Sequence, residues 1–254
     1  MNRILSRVRR CVEDYEMIQE NDRIAVGVSG GKDSLLLLTA LAKLRDFYPI
    51  PFQLEAITLD MGHADGMSGM DFSQVSAYCQ ELNVPYTILP SEIHHIIFDI
   101  RKETNPCSMC AKMRRGALHN AMQERGIHKI ALGHHYDDAI ETFFMSLIFE
   151  GRLSCFQPVT WLDRTEITQI RPLLYCGETL VQHTVQKLNL PVVHNPCPAN
   201  GNTKRQEIKE LIYELNGRYP HLKERAFGAM QRLPLPAWGP MEHRRRPLPE
   251  ELED

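Results

Sequence analysis

The chain has 254 residues, of which 43% are hydrophobic and 24% are charged, and its formal net charge at pH 7 is −3. This composition predicts a globular protein with one large core, and it excludes both a disordered chain and binding of nucleic acid through a high overall positive charge. No apolar run approaches the roughly 20 residues that span a bilayer, and the N-terminus has no apolar signal core, so we expect a cytoplasmic protein without a membrane partner. The seven cysteines, an odd number in a chain without an export signal, favour metal ligation or redox chemistry over a disulfide framework.

A helix is predicted from Ile4 to Met17, where apolar residues recur at the spacing of one helix face. Its other face carries four arginines: Arg3, Arg7, Arg9 and Arg10. Such a face is common on solvated helices and would equally suit a phosphate-binding patch, so both interpretations stay open. An RNA partner of this acidic protein would need a local basic patch of this kind.

The most informative segment is the loop Ser29-Gly30-Gly31-Lys32-Asp33-Ser34, which lies between the apolar run 24–28 and the leucines 35–38. This order predicts a strand, a tight turn and a helix. Glycines let backbone N–H groups close on an anion, the helix start adds the positive end of its dipole, and Lys32 supplies a mobile charge, so the loop is predicted to hold phosphate. It is not a Walker A loop, because Val26 stands where that loop needs its first glycine. An ordinary Gly-Gly turn would not require Ser, Lys, Asp and Ser together.

Strands and helices then alternate along the chain. We predict helices at 34–45 and 71–82 and strands at 53–59 and 86–89, with a glycine-rich loop at 61–70. The repeated β-α order predicts an α/β fold with a doubly wound, mostly parallel sheet.

Two cysteines, Cys107 and Cys110, stand at the head of a helix that is predicted to run towards Glu124. The CxxC spacing lets both thiols reach one metal or cluster, and a helix start lowers thiol pKa values. Taken alone, the motif fits a zinc knuckle, a redox dithiol or part of an iron–sulfur site. Zinc would ordinarily need a second CxxC or a His pair, and none appears nearby. Arg114 and Arg115, one turn further on, either face the same cavity or form a solvated pair.

A strand at 129–132 leads into Gly133-His134-His135-Tyr136-Asp137-Asp138, and a further helix follows. Adjacent acids at a helix start are unfavourable beside phosphate unless a cation bridges them, and Mg²⁺ is commonly held by one or two carboxylates together with phosphate oxygens. Asp138 is the better candidate for the magnesium ligand. Because Asp suits the N-cap position, we expect one of the two acids to cap the helix and the other to be catalytic.

The C-terminal part is predicted to be helical at 177–188, 203–216 and 219–230, and no internal repeat is apparent. Prolines, a run of three arginines and an acidic end predict a flexible tail after these helices. The predicted division is an N-terminal helix at 1–20, an α/β domain at 21–195, a helical C-terminal extension at 196–232 and the tail at 233–254.

Four segments occur in the order SGGKDS, PCSMC followed by RRG, KIALGHHYDD, and IRPLLY at 170–175. In order and spacing they resemble the TtcA family of tRNA 2-thiocytidine synthetases, in the PP-loop ATP pyrophosphatase superfamily, and the resemblance runs from about residue 21 to residue 230. It implies a PP-loop or adenine nucleotide hydrolase-like sheet in the 21–195 domain. It also implies that ATP is bound by the 29–34 loop with Gly133 and Asp137, and that Lys32, Arg114 and Asp138 act in catalysis.

The same resemblance implies a [4Fe-4S] cluster on Cys107, Cys110 and Cys197. ATP, with Mg²⁺, would adenylate O2 of a cytidine in the anticodon loop of tRNA, at position 32, and release pyrophosphate. Cluster-bound sulfur would then attack C2 to give 2-thiocytidine and AMP. The partners implied are tRNA, a cysteine desulfurase or another sulfur donor, and a second copy of the chain in a homodimer.

Two other functions stay open. A tRNA 2-thiouridine synthetase usually carries zinc-binding CxxC pairs near both termini, and this chain has none. A non-enzymatic iron–sulfur or zinc protein would leave SGGKDS and GHHYDD without a purpose. The remaining cysteines are predicted to be buried and structural, and they are Cys11, Cys79, Cys155 and Cys176.

Overall fold

The structure is a computed structural model, and it describes residues 1–62, 69–102, 106–193 and 204–232, except for the side chain of Cys107. Several predictions fall outside these residues: the third cysteine, Cys197, the start of the C-terminal extension at 196–203, and the tail at 233–254. They therefore stay predictions.

The described strands form one six-stranded sheet in the order β3-β2-β1-β4-β6-β5. All neighbouring pairs are parallel except β5 and β6, which are antiparallel. The predicted doubly wound, mostly parallel sheet is confirmed. The strands are β1 (Asp22–Gly27), β2 (Phe52–Asp60), β3 (Tyr86–Pro90), β4 (Lys129–Ala131), β5 (Val159–Leu162) and β6 (Ile167–Ile170).

Helices cover both faces of the sheet, and most lie within about three residues of the predicted bounds. They are α1 (Asn2–Asp14), α2 (Lys32–Arg45), α3 (Ser73–Glu81), α4 (Pro106–Glu124), α5 (Tyr136–Met145), α6 (Glu178–Lys187), α7 (Lys204–Arg218) and α8 (Leu222–Arg232). Three short helical turns were not predicted: two π-helical turns at His95–Ile100 and Ser146–Glu150, and a 3₁₀ turn at Pro172–Tyr175.

Strand β1 is buried on both faces because it lies in the middle of the sheet. Ile24 and Val26 point into the larger core, which also contains the four consecutive leucines of α2, Leu35 to Leu38. Ala25 points the other way, into a smaller core with Ile57 of β2 and residues at the end of α4. The leucine run is apolar all round its helix because α2 is enclosed by the sheet, α1 and α6.

The N-terminal and C-terminal helices share this larger core. Val8 of α1, Ile208 of α7 and Phe227 of α8 all belong to the same cluster of buried residues as the α2 leucines. These helices are thus packed on the α/β domain, although the predicted boundaries at 20 and 195 stay predictions. Across the described ranges, no helix is long and apolar enough to span a bilayer.

The β5–β6 hairpin was not predicted. It pairs Thr160 with Gln169 and places β6 beside β4, so that Arg171 follows β6 at the edge of the sheet where the parallel strands end. Glu166 lies in the hairpin turn with φ of 52°, in the left-handed region. Glutamate is uncommon there, so the sequence gives no signal of this turn.

Replacing Leu37 by Ala should lower the free energy of unfolding by about 2–5 kcal/mol, because its side chain is fully buried and would leave a cavity. Leu153→Ala is the matched control, since Leu153 is 56% exposed and should change stability little. Urea unfolding followed by circular dichroism measures both variants, and equal losses of stability would contradict the assigned core.

Candidate functional site

The loop between β1 and α2 has the form of a phosphate cradle. Ser29 N–H donates to Ser34 Oγ at 3.1 Å, and Ser34 Oγ donates to the Gly31 carbonyl at 2.9 Å, so one side chain fixes the turn. Within the described part of the chain, no side chain caps the first turn of α2. The first N–H groups of this helix are therefore available to an anion.

Two glycines allow the loop to be closely packed. Gly30 has φ of 80°, and a Cβ there would lie 3.0 Å from Cβ of Val193. Gly133, which follows β4, faces the start of α2, and a Cβ there would lie 3.1 Å from the Asp33 carbonyl carbon and the Ser34 nitrogen. Because backbone atoms cannot move aside, only glycine lets the end of β4 approach α2 this closely.

The two acids after β4 have different roles from those expected. His135 is the N-cap of α5 and forms a capping box with Asp138: the Asp138 carboxylate accepts from His135 N–H at 2.9 Å, and Asp138 N–H donates to His135 Nδ1 at 3.4 Å. Neither acid is the N-cap, so the expectation that one acid caps the helix while the other is left for catalysis is wrong in this respect. A histidine ring nitrogen can accept the hydrogen bond from a backbone N–H that an Asp or Asn side chain usually accepts at the N-cap. This explains why His135 takes the position that was expected for an acid.

Asp137 is instead held by groups from the C-terminal half of the chain. Its carboxylate accepts from Lys223 Nζ at 2.7 Å and from Glu178 N–H at 2.6 Å. Burial alone would raise the pKa of Asp137, but these two hydrogen bonds outweigh it and the pKa is lowered. Asp137 is therefore charged at neutral pH.

Sequence reasoning predicted Lys32 but missed the other cations near the phosphate loop and α5. Lys32 Nζ lies 2.9 Å from Asp33 Oδ1 and 3.7 Å from Glu178 Oε1. Arg205 and Lys209, both on α7, contact Asp138 and Glu178 at 3.2 and 2.7 Å. Their i, i+4 spacing would have shown that they share a helix face, but nothing local indicates which carboxylates they meet.

A cavity of about 450 Å³ lies between the sheet and α4, next to Gly27, Val28 and Ser29 at the end of β1. Among the described residues its lining contains no carboxylate. Arg114 and Arg115 both line it, while Cys110 does not, so the expectation that they share a cavity with the cysteines stays a prediction. The remaining basic side chains of the wall are His119, His134 and Arg171.

Arg171 and His134 form the wall of this cavity opposite α4. Arg171 donates to Gln169 Oε1 and to Thr160 Oγ1, both at 3.1 Å, and its guanidinium lies 4.9 Å from the ring centre of Phe156. Burial lowers the pKa of Arg171 to about 10 and that of His134 to about 4, so at neutral pH the arginine is charged and the histidine is neutral.

Two polar atoms on this wall are fully buried and unpaired in the described part of the chain. Within the described ranges, His134 Nδ1 and Arg171 Nε have no hydrogen-bond partner. Leaving such atoms unpaired costs free energy. A molecule in the cavity would instead meet the charges of Arg114, Arg115 and Arg171, which line it. The cavity thus favours an anionic or strongly polar ligand of nucleoside size.

The cysteines fall into two groups. Cys110 lies in the first turns of α4, half-buried against Met61, Ile93 and Ile97. Cys107 is on the same helix, but its side chain, like Cys197, is outside the described residues. In the part of the chain that the structure describes, no three His, Cys, Asp or Glu side chains are grouped as metal ligands. The three-cysteine cluster site therefore stays a prediction.

The other cysteines are thiols in apolar surroundings. Cys11, Cys79 and Cys176 are buried, and Cys155 is partly exposed. Burial raises the pKa of Cys79 to about 11 and the pKa values of Cys155 and Cys176 to about 12, so these side chains are protonated at neutral pH. Their predicted burial is confirmed for three of the four.

The arginine face of α1 is partly neutralised. Arg9 pairs with Glu13 at 2.7 Å and Arg10 with Asp14 at 3.5 Å, while Arg7 donates to the Tyr175 carbonyl at 2.9 Å. Much of the charge that the sequence offered for a phosphate patch is thus balanced within the protein.

A phosphate cradle at the centre of a mostly parallel sheet, beside a basic cavity, defines a PP-loop nucleotide-binding domain, and the family model of the PP-loop domain matches residues 2–215. The tRNA-cytidine(32) 2-sulfurtransferase of Pelobacter propionicus is 38% identical over 231 residues, which cover 90% of this chain and 84% of that protein. The enzyme of the same name from Shewanella oneidensis is 35% identical, over 91% of this chain and 75% of that protein. The chain belongs to the tRNA-cytidine(32) 2-sulfurtransferase (TtcA) family.

A solved structure shares this fold. The U34-tRNA thiolase NcsA from Methanococcus maripaludis, described with its [4Fe-4S] cluster, superposes with a TM-score of 0.71 at 25% sequence identity. The match covers 89% of this chain and 75% of that one.

Replacing Gly30 by Ala should weaken ATP binding by about tenfold or more, because alanine is strained at φ of 80° and its Cβ would meet Val193. Gly151→Ala is the control. Gly151 also has a positive φ, 63°, but a Cβ added there would meet no atom within 4 Å. Calorimetric titration with α,β-methylene-ATP and Mg²⁺ measures the affinity. Equal affinities for the two variants would contradict the assignment of the loop.

Proposed function

We propose that this chain is an ATP-dependent tRNA thiolase that converts a cytidine of the anticodon loop, at position 32, into 2-thiocytidine. The observation that carries this proposal is the phosphate cradle that opens onto a basic cavity under α4, the helix that begins with the CxxC motif. The relatives at 35–38% identity all carry the tRNA-cytidine(32) name. NcsA acts on U34, which makes a 2-thiouridine synthetase the second candidate, although its identity to this chain is only 25%.

The cradle would hold the two phosphates that leave as pyrophosphate. The N–H groups at the start of α2, which no side chain caps, would bind phosphate oxygens. Lys32 is paired with Asp33 and Glu178 in the structure, and its side chain can turn to stabilise the negative charge that develops as the α–β bond of ATP breaks. Transfer of AMP to O2 of the cytidine would convert that oxygen into a good leaving group.

Asp138 would hold Mg²⁺. One of its oxygens accepts from His135 N–H and the other lies 3.2 Å from Arg205. A carboxylate offers about four lone-pair positions, so Asp138 still has lone pairs that can bind a metal ion when both of these contacts are made. Mg²⁺ prefers one or two carboxylates with phosphate oxygens, so Asp138 and the phosphates of ATP would supply ligands of the right kind.

The cavity would take the cytidine. A base in a stacked loop cannot present C2 to a protein group, so the nucleotide must leave its stack and enter a pocket. Arg114, Arg115 and Arg171 would neutralise the phosphate at its entrance and the adenylyl group, while neutral His134 can exchange a hydrogen bond with a base edge. The rest of the tRNA would contact basic residues around the opening of the cavity.

Cys107, Cys110 and Cys197 would hold a [4Fe-4S] cluster. Two of these residues share the first turns of α4, where the helix start favours the thiolate that a cluster needs. With three thiolates in place of the usual four, such a cluster would leave one iron without a protein ligand and would supply the sulfur-transfer chemistry. The sulfur would come from a cysteine desulfurase or another donor. We also propose that the protein works in the cytoplasm, as a homodimer.

Nucleoside mass spectrometry tests the product directly. Total tRNA from a strain that lacks the gene should lose 2-thiocytidine, and restoring the gene should return it. Loss of 2-thiouridine with 2-thiocytidine unchanged would reject the cytidine assignment in favour of the second candidate.

Lys32→Ala and Asp138→Ala should each abolish thiolation while the iron content stays at the wild-type level, because both residues serve ATP and not the cluster. Pyrophosphate release in the presence of tRNA should fall together with the product. Lys187→Ala, an exposed lysine at the end of α6, is the control and should behave as wild type. Release of phosphate in place of pyrophosphate would show that a different bond of ATP is broken.

Cys197→Ala should lose the cluster, whereas Cys79→Ala should keep it, because Cys79 is fully buried and its thiol is protonated. Iron and sulfide analysis of protein that was purified without oxygen, together with its absorption near 400 nm, measures the outcome. Stoichiometric zinc without iron, or full cluster retention in Cys197→Ala, would contradict the ligand assignment.

A further inference from the structure

A chain of hydrogen bonds runs along the cavity wall from Arg171 to His119. Arg171, which directly follows β6, donates from Nη2 to Oε1 of Gln169 at 3.1 Å. Nε2 of Gln169 in turn lies 3.4 Å from Nε2 of His119, which is on α4. All three residues are buried and all three line the cavity, so this chain joins the sheet to α4 at the site itself.

The guanidinium end of the chain is held on several sides. Nη1 of Arg171 donates to the carbonyl of Gln157 and, at 3.1 Å, to Oγ1 of Thr160, which is paired with Gln169 in the β5–β6 hairpin. The ring centre of Phe156 lies 4.9 Å from the guanidinium carbon. These contacts fix the position from which Arg171 meets Gln169.

The arginine determines which way the amide of Gln169 faces. Every polar atom of a guanidinium is a donor, so the amide atom next to Arg171 must be the oxygen. The amide nitrogen then faces His119, and because this nitrogen is also a donor, Nε2 of His119 must accept. Turning the amide round would set donor against donor at Arg171. His119 is therefore held with its proton on Nδ1.

His119 is also kept neutral. Burial and the charge of Arg115 lower its pKa, and a ring protonated on both nitrogens would present a donor to the amide nitrogen of Gln169. Among the described residues none accepts from Nδ1. Because Nε2 is occupied, Nδ1–H is the polar group that His119 has left for a molecule in the cavity.

We propose that His119 is a specificity-determining residue whose fixed Nδ1–H selects a pyrimidine with an acceptor at N3. Cytosine has no hydrogen on N3, whereas uracil carries one, so the donor pairs with the first base and opposes the second. A site with a polar group that only the correct base can pair discriminates better than a site that matches shape alone. The inference rests on the proposed function in placing the target base in this cavity, and it names the group that distinguishes cytidine from uridine.

The affinity ratio for two RNAs tests the donor in the full-length, cluster-loaded protein. Anticodon stem-loops with cytidine or uridine at position 32 are titrated by fluorescence anisotropy in the presence of α,β-methylene-ATP and Mg²⁺. Their phosphate contacts are the same, so the salt-dependent part of the affinity cancels in the ratio. Wild type should bind the cytidine RNA more tightly.

Two substitutions test the two ring nitrogens separately, because an Asn amide ends about where Nδ1 of histidine lies and a Gln amide about where Nε2 lies. His119→Gln should lower the affinity ratio about tenfold or more, since it removes the donor at Nδ1. His119→Asn can offer an amide N–H there and should keep most of the ratio. His128→Gln is the matched control, because His128 is exposed before β4 and does not line the cavity.

Gln169→Met covers the case in which the His119 variants do not fold. It removes the amide at similar length and leaves the imidazole in place, so both neutral tautomers become available and the ratio should fall. The ¹⁵N chemical shifts of the His119 ring give a readout without RNA. In free wild-type protein at neutral pH they should show Nδ1 protonated and Nε2 unprotonated, and in Gln169→Met a mixture.

A proton on Nε2 in wild type, an unchanged ratio in His119→Gln, or equal losses in both His119 variants would each overturn the inference. Weaker binding of the ATP analogue to His119→Gln, with the RNA ratio unchanged, would place the adenine against His119 and overturn it as well. Failure of the proposed function gives a different result: the strain that lacks the gene would keep its 2-thiocytidine, while the ring shifts would stay as stated.

Discussion

The contact between Gly133 and the first residues of α2 determines the geometry of the site. A Cβ on Gly133 would lie 3.1 Å from backbone atoms of Asp33 and Ser34, so the chain leaving β4 passes directly against the uncapped helix start. This brings His135 to within 3.8 Å of Asp33 and sets α5 beside the phosphate loop. The acids of α5, and the cations of α7 and α8 that neutralise them, depend on that placement.

Charge is divided between the two sides of the loop. On the side of α5 and α6, four carboxylates are matched by Lys32, Arg205, Lys209 and Lys223. On the side of α4, the described lining of the cavity has arginines and histidines without a carboxylate. The charges on the first side are thus balanced within the protein, whereas the cavity side is locally basic although the protein as a whole is acidic.

Local sequence patterns predicted the features that depend on local structure. The β-α order, the SGGKDS turn and the CxxC at a helix start follow from periodicity and from residues adjacent in the chain, and the structure has all three. The cap of α5 was assigned to the wrong residue, because propensity favours Asp while packing placed the ring of His135 at that position. The hairpin that carries Arg171 was missed, since its buried hydrogen bonds join residues on different strands.

The contacts of Arg205 and Lys223 were equally out of reach, because they join residues 67 and 86 positions apart. They add to an apolar attachment, because α7 and α8 also bury Ile208, Ile212, Phe227 and Met230 in the larger core. Ion pairs at partly exposed sites weaken as the ionic strength rises, whereas the packing of the apolar core depends little on it. Opening of the two C-terminal helices would therefore both break ion pairs and expose buried apolar surface, and only the first part would make amide hydrogen exchange in them depend on the salt concentration.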